Sequence, residues 1–173
     1  MVTNKDLQIN LVSRKYPKNI QDLIKRFRRP YPTDIEYIRR LDKEYNIIRD
    51  KGFVDTFQRV SDIIDLIKQK NIPHVLRGSA ASSLVCYQLG ISDIDPIKEK
   101  IPLTRFMNLC RDTQPDVDLD VPHWIRDLLI DEFHEKHPNK VARISNKVMY
   151  KPKSAMREAI RKFGHRKFLP RYY

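Results

Sequence analysis

Between Thr113 and Val121 the chain reads Thr-Gln-Pro-Asp-Val-Asp-Leu-Asp-Val, and from Asp116 onward carboxylates alternate strictly with aliphatic side chains. A period of two is the period of a strand. Asp116, Asp118 and Asp120 then share one face and Val117, Leu119 and Val121 the other, with same-face neighbours roughly 6 to 7 Å apart. Like charges in a row repel, and a fold can meet that repulsion in two ways. One is an exposed edge strand whose charges discourage association. The other is a hard divalent cation shared by neighbouring carboxylates, since Mg²⁺ prefers oxygen ligands and is usually held by one or two carboxylates together with substrate phosphates.

Most of the remaining pattern is helical. Ile20, Leu23, Ile24 and Phe27 predict a first helix that Pro30 and Pro32 stop. Its end carries Lys25, Arg26, Arg28 and Arg29, which suit a helix C-terminus and equally a phosphate contact. Thr33 and Glu36 have the spacing of a capping box, opening a helix with the apolar stripe Ile35, Ile38, Leu41, Tyr45 and Ile48 that Gly52 ends. Phe53, Phe57, Val60, Ile63, Ile64 and Ile67 predict a third helix to about Lys70. Beyond the aspartate strand, Pro122 suits a first turn, and Ile125, Leu128, Leu129 and Phe133 carry a helix to His137. His134 and His137 share a face of it amid acids and lysines, which suits a surface role. Val141 to Ile144 reads as a second strand of the same sheet, and Lys153 to Phe163 as a helix that buries Ala155, Met156, Ala159 and Ile160.

The segment before Gly90 combines a brief strand (Ile72 to Leu76), a turn of small residues (Arg77-Gly78-Ser79) and a helix from Ala80 to Leu89. Free backbone N–H groups at a helix start, a glycine permitting close approach, a serine hydroxyl and a forked cation can together hold an anion. The alternative is that Ser79 only caps the helix and the alanines only permit tight packing.

Charge narrows the partners. Across 173 residues, 34 Lys and Arg outnumber 22 Asp and Glu for a net +12, which favours a polyanion such as nucleic acid or nucleotide. The excess lies at the C-terminal end, where Glu158 is the only acid beyond Glu135. Cys86 and Cys110 are too few for a disulfide framework or a zinc site, and no apolar run approaches a membrane span or a signal peptide. These features predict a reduced, cytoplasmic setting with no membrane partner.

From about Tyr37 to Gly164 the chain resembles the palm region of bacterial C-family replicative polymerases, the DNA polymerase III alpha subunit. The family's Gly-Arg-Gly-Ser-Ala-Ala-Gly-Ser-Leu corresponds to Leu76-Arg77-Gly78-Ser79-Ala80-Ala81-Ser82-Ser83-Leu84. Its Leu-Gly-Ile-Thr-x-Ile-Asp-Pro continues as Leu89 to Pro96, its Glu-Arg-Phe-Leu-Asn as Thr104 to Asn108, and its Pro-Asp-x-Asp-x-Asp as Pro115 to Asp120. A leading segment, Tyr37-Ile38-Arg39-Arg40-Leu41, and a trailing Arg157-Glu158-Ala159-Ile160-Arg161 also match in order. Leu76 and Ser82 stand where the family has glycine, Thr104 where it has glutamate, and Asn146-Lys147 interrupts a family Phe-Gly.

The resemblance implies an α+β fold: a helix-rich partial palm of polymerase-beta-like nucleotidyltransferase type, with a small sheet carrying the aspartate strand. It divides the chain into an accessory lead-in (1–32), the partial palm (33–164) and a basic tail (165–173). It implies that Asp116 and Asp118 ligate two Mg²⁺ ions, that Gly78 and Ser79 lie near the incoming triphosphate, and that Arg77 contacts phosphate. Lys153, Arg157 and Arg161 are expected to contact the nucleic-acid backbone. The partners implied are a DNA primer-template, deoxynucleoside triphosphates and a second polypeptide carrying the remaining polymerase domains, because the family's third catalytic aspartate lies far downstream. The chain alone is therefore expected to be inactive. Two other readings stay open: a non-catalytic remnant that binds nucleic acid or a partner polymerase through its basic surface, and a self-sufficient small nucleotidyltransferase using Asp120 as the extra carboxylate.

Overall fold

A computed structural model describes residues 16–110, 112–144, 147 and 149–163. The first fifteen residues of the lead-in, Asn146 and the tail 165–173 lie outside the described residues. Helices α1 (Lys18–Lys25), α2 (Ile35–Asp50) and α3 (Val54–Gln69) come first. The start of α2 differs from expectation. Asp34, not Thr33, is the cap, its carboxylate accepting the Glu36 N–H at 2.8 Å. A carboxylate is favoured there because it meets both the unpaired N–H groups and the positive end of the helix dipole.

The apolar stripes converge on one core. Ile20, Leu23 and Ile24 of α1, Leu41, Tyr45 and Ile48 of α2, and Phe57 and Ile64 of α3 join Leu84, Val85, Leu89 and Phe106 in a single buried cluster. Each such side chain contributes about 1.5–3 kcal/mol on burial. Arginines at the end of α1 lock this layer from outside: Arg26 pairs with Asp62, Arg28 with Asp65 and Arg29 with Asp93. The Arg29 guanidinium also lies 3.9 Å over the Tyr87 ring, a cation–π contact. These cations hold helices together, in keeping with the helix-end reading of the basic cluster. Gly90 is the point of closest approach: at φ +70, a Cβ there would meet Arg28 Cδ at 2.7 Å.

Two short strands, β1 (Val75–Arg77) and β2 (Asp118–Asp120), pair antiparallel with Val75 opposite Asp120, Leu76 opposite Leu119 and Arg77 opposite Asp118. Between them run a 3₁₀ turn (Gly78–Ser82), the short helix α4 (Leu84–Gln88) and a second 3₁₀ turn (Leu103–Arg105). Helix α5 (Arg126–Lys136) follows β2 and docks on α3 through a smaller cluster of Leu129 with Leu66 and Ile67. The architecture is α+β, helix-rich with one small antiparallel sheet among the described residues.

Two expectations are corrected. Val141 to Ile144 forms no strand, and Ile144 is 99% exposed; the aspartate strand pairs with β1 instead, which offers Leu76 to the core beside Leu119. Helix α6 (Pro152–Lys162) forms, but none of its residues is buried, so Ala155, Met156, Ala159 and Ile160 do not enter a core. A helical stripe states which face could be covered, not that anything covers it.

Candidate functional site

In an antiparallel pair, directly opposed residues point to the same side. The pleat turns Leu76 and Leu119 toward the core, and Val75, Arg77, Asp118 and Asp120 the other way, where all four are exposed. Asp116 is exposed two residues ahead of the ladder. The Arg77 guanidinium donates diagonally to Asp120 at 3.1 Å. Asp116 and Asp118 have no side-chain hydrogen-bond or ion-pair partner among the described residues, which leaves their oxygens open to a hard cation. No group of three or more metal-ligating side chains converges among the described residues. Asp116 and Asp118 are thus two exposed, unpaired carboxylates that form no complete ligand set with other described residues.

The turn after β1 lies against Asp118. Gly78 has φ +81, in the left-handed region, and a Cβ there would meet Asp118 Oδ2 at 3.0 Å. Ser79, half-buried, does not cap a helix: its carbonyl accepts the Ser82 hydroxyl at 2.8 Å inside the 3₁₀ turn. The structure also accounts for two departures from the family pattern. Leu76 projects from β1 into the core, away from the aspartate face, and Ser82 is buried with its hydroxyl engaged.

A residue that sequence reasoning missed anchors this turn. Glu44 of α2 has no exposed surface, and its carboxylate accepts from the Ser83 hydroxyl at 2.7 Å, Leu84 N–H at 2.9 Å and Val85 N–H at 3.0 Å. Arg40, one turn earlier, donates to Glu44 at 2.8 Å and to the Ser82 carbonyl at 2.6 Å. The N-terminus of α4 therefore already holds an anion, the protein's own. Only the 78–82 turn before it remains to meet an outside phosphate. Glu44 falls on the same stripe as Leu41, Tyr45 and Ile48, and an acid on an apolar face was the signal available.

Lys153, Arg157 and Arg161 all lie exposed on α6. The structure gives no contact between them and the aspartate face. Arg161 pairs with Glu158, which holds its guanidinium above the usual arginine range. Near the start of α2, Tyr37 donates to Asp95 at 2.8 Å, tying α2 to the 91–96 segment; loss of hydration and the neighbouring carboxylate push the phenol up to about 12.

Comparison with known proteins aligns residues 10–170 with the family described as Bacterial DNA polymerase III alpha NTPase domain. The chain is 42% identical over 132 residues to a DNA polymerase III subunit alpha from Ureaplasma parvum, covering 74% of this chain and 13% of that protein. It is 35% identical over 127 residues to an error-prone DNA polymerase from Cutibacterium acnes, covering 73% and 11%. A 30% identity extends over 150 residues of an error-prone DNA polymerase from Xanthomonas campestris, covering 86% and 14%. The chain thus spans roughly a ninth to a seventh of the length of these relatives.

Proposed function

The chain belongs to the bacterial DNA polymerase III alpha family, and from that premise we propose that it is part of a DNA-directed DNA polymerase that transfers deoxynucleotides to a primer by a two-metal mechanism. Residues 33–164 form its partial palm, of polymerase-beta-like nucleotidyltransferase type, between a lead-in at 1–32 and a basic tail at 165–173. The observation that carries the reading is the Gly78 backbone set directly against Asp118, with Asp116 exposed two residues earlier and neither carboxylate paired among the described residues. The setting this reading implies is the cytoplasm, with DNA as the substrate; no helix among the described residues is long and apolar enough to cross a membrane.

Asp116 and Asp118 would hold the ions. Mg²⁺ held there would acidify the primer hydroxyl and neutralise charge on the phosphates. The backbone at Gly78 and Ser79 would face the incoming triphosphate, and Arg77 would exchange its contact with Asp120 for a phosphate oxygen. Such transfer requires positioning and charge compensation rather than a nucleophilic side chain. Lys153, Arg157 and Arg161 would track the primer-template backbone. A second polypeptide bearing the remaining polymerase domains would add the third carboxylate and would cover the exposed Met149, Met156 and Phe163.

Reconstitution tests this. The chain mixed with the C-terminal portion of a family polymerase should incorporate nucleotide in the presence of Mg²⁺, and Asp116→Asn or Asp118→Asn should abolish the signal. Absence of incorporation by the wild-type mixture would sink the proposal. The exposed Lys153, Arg157 and Arg161 of α6 keep one alternative in view, a non-catalytic remnant that binds nucleic acid or a partner polymerase through its basic surface. That alternative requires salt-dependent DNA binding indifferent to Asp116→Ala and no loss of Mg²⁺ affinity in that variant.

A further inference from the structure

Trp124 is the one tryptophan of the chain, and its indole is 73% exposed. It follows Asp120 by four residues, a stretch that spans at most about 14 Å, so the ring stays in the neighbourhood of the aspartate strand. Trp124 and His123 stand nearly perpendicular, at 82° with centroids 5.3 Å apart, an edge-to-face arrangement that props the indole in place. The charge beside it is uneven. Arg126 and Arg143 both reach the one carboxylate of Asp127, at 3.3 Å and 3.2 Å. Two cations share one anion there, so this trio carries one net positive charge, after the open Asp116 and Asp118 in sequence.

A flat, wet π-surface of this size is costly to hydrate unless a partner covers it. A membrane surface would call for an apolar stripe, whereas here a single ring stands among guanidinium groups and carboxylates. A polyanion that carries its own flat rings satisfies both features at once. We propose that Trp124 is a stacking platform for an unpaired base of single-stranded nucleic acid passing beside the aspartate strand. The polyanion's identity as DNA rests on the polymerase reading, while the contact is additional to the transfer chemistry. Stacking on an aromatic side chain tolerates any base sequence, because every base has a π-face.

The single indole makes the test direct. The full chain is titrated, in EDTA and without nucleotide, with a short oligothymidylate and with an abasic oligomer of the same length and charge, following Trp124 fluorescence. Quenching is expected with the base-bearing strand and not with the abasic one. In an anisotropy assay with labelled oligomer, Trp124→Ala should bind the base-bearing strand about 5- to 150-fold more weakly, Trp124→Phe should retain most of the affinity, and binding of the abasic strand should be unchanged. Equal quenching by the two strands, or unchanged affinity in Trp124→Ala, overturns the platform. Quenching without incorporation on reconstitution would remove the transfer reading and leave the platform standing; incorporation without quenching would do the reverse.

Discussion

A hydrogen atom at Gly78 is what allows the turn after β1 to rest on Asp118. Any side chain there incurs two separate costs. The left-handed φ of +81 disfavours a Cβ by about 1–2 kcal/mol, and the Cβ would sit 3.0 Å from Asp118 Oδ2. Asp118 is exposed, so its carboxylate would swing aside rather than resist. Gly78→Ala should therefore lower unfolding free energy in urea by about 1–2 kcal/mol, and in the reconstituted enzyme it should reduce incorporation by misdirecting Asp118, the proposed metal ligand. Loss of stability with full activity would show that Asp118 need not point where it does. The need for glycine at 78 was readable from the Arg-Gly-Ser turn, and the shared face of the aspartates from their spacing. That Leu76 would turn away from them was not readable, because the bulk of a residue says nothing of which side of a pleat it takes until the register is known.

At the scale of elements, the organising link runs from α2 to the start of α4 through Glu44. An Arg and a Glu four residues apart on a helix usually describe a solvated pair worth a few tenths of a kcal/mol. Here the pair is interior, and its other partners lie some forty positions away in sequence. Contacts of that range depend on how helices pack, so the sequence showed only an acid out of place on an apolar stripe. Glu44→Ala should cost about 3–5 kcal/mol, since Arg40 and three donors would lose their shared acceptor. Hydrogen exchange at the Leu84 and Val85 amides should quicken first, ahead of global unfolding measured in urea. Unchanged protection at those two amides would mean that water replaces the carboxylate.

Over the whole molecule the legible and illegible parts divide by distance along the chain. The stripes of α1, α2 and α3 fixed helices that do meet in one core, because amphipathic periodicity is local. Strand pairing is not local, and the partner of the aspartate strand turned out to be the segment at 75–77 rather than the one at 141–144. The last helix shows the same limit, with a stripe that no described residue covers. Its charges still permit a quantitative expectation. Each phosphate contact contributes about −0.9 to the slope of log K against log salt on duplex DNA. Lys153→Ala and Arg157→Ala should each flatten that slope by about 0.9, across all DNA sequences alike. Arg161→Ala should do less, because Glu158 already offsets its charge. Equal slopes for the wild type and all three variants would place the DNA track elsewhere.

The mooring of the small-residue turn from behind has a further consequence. Its solvent side is left bare for whatever arrives, while its shape is dictated by a helix whose own surface faces elsewhere. Damage along the segment that starts at Ile35 would reach the bend beside Asp118 through one hidden acid.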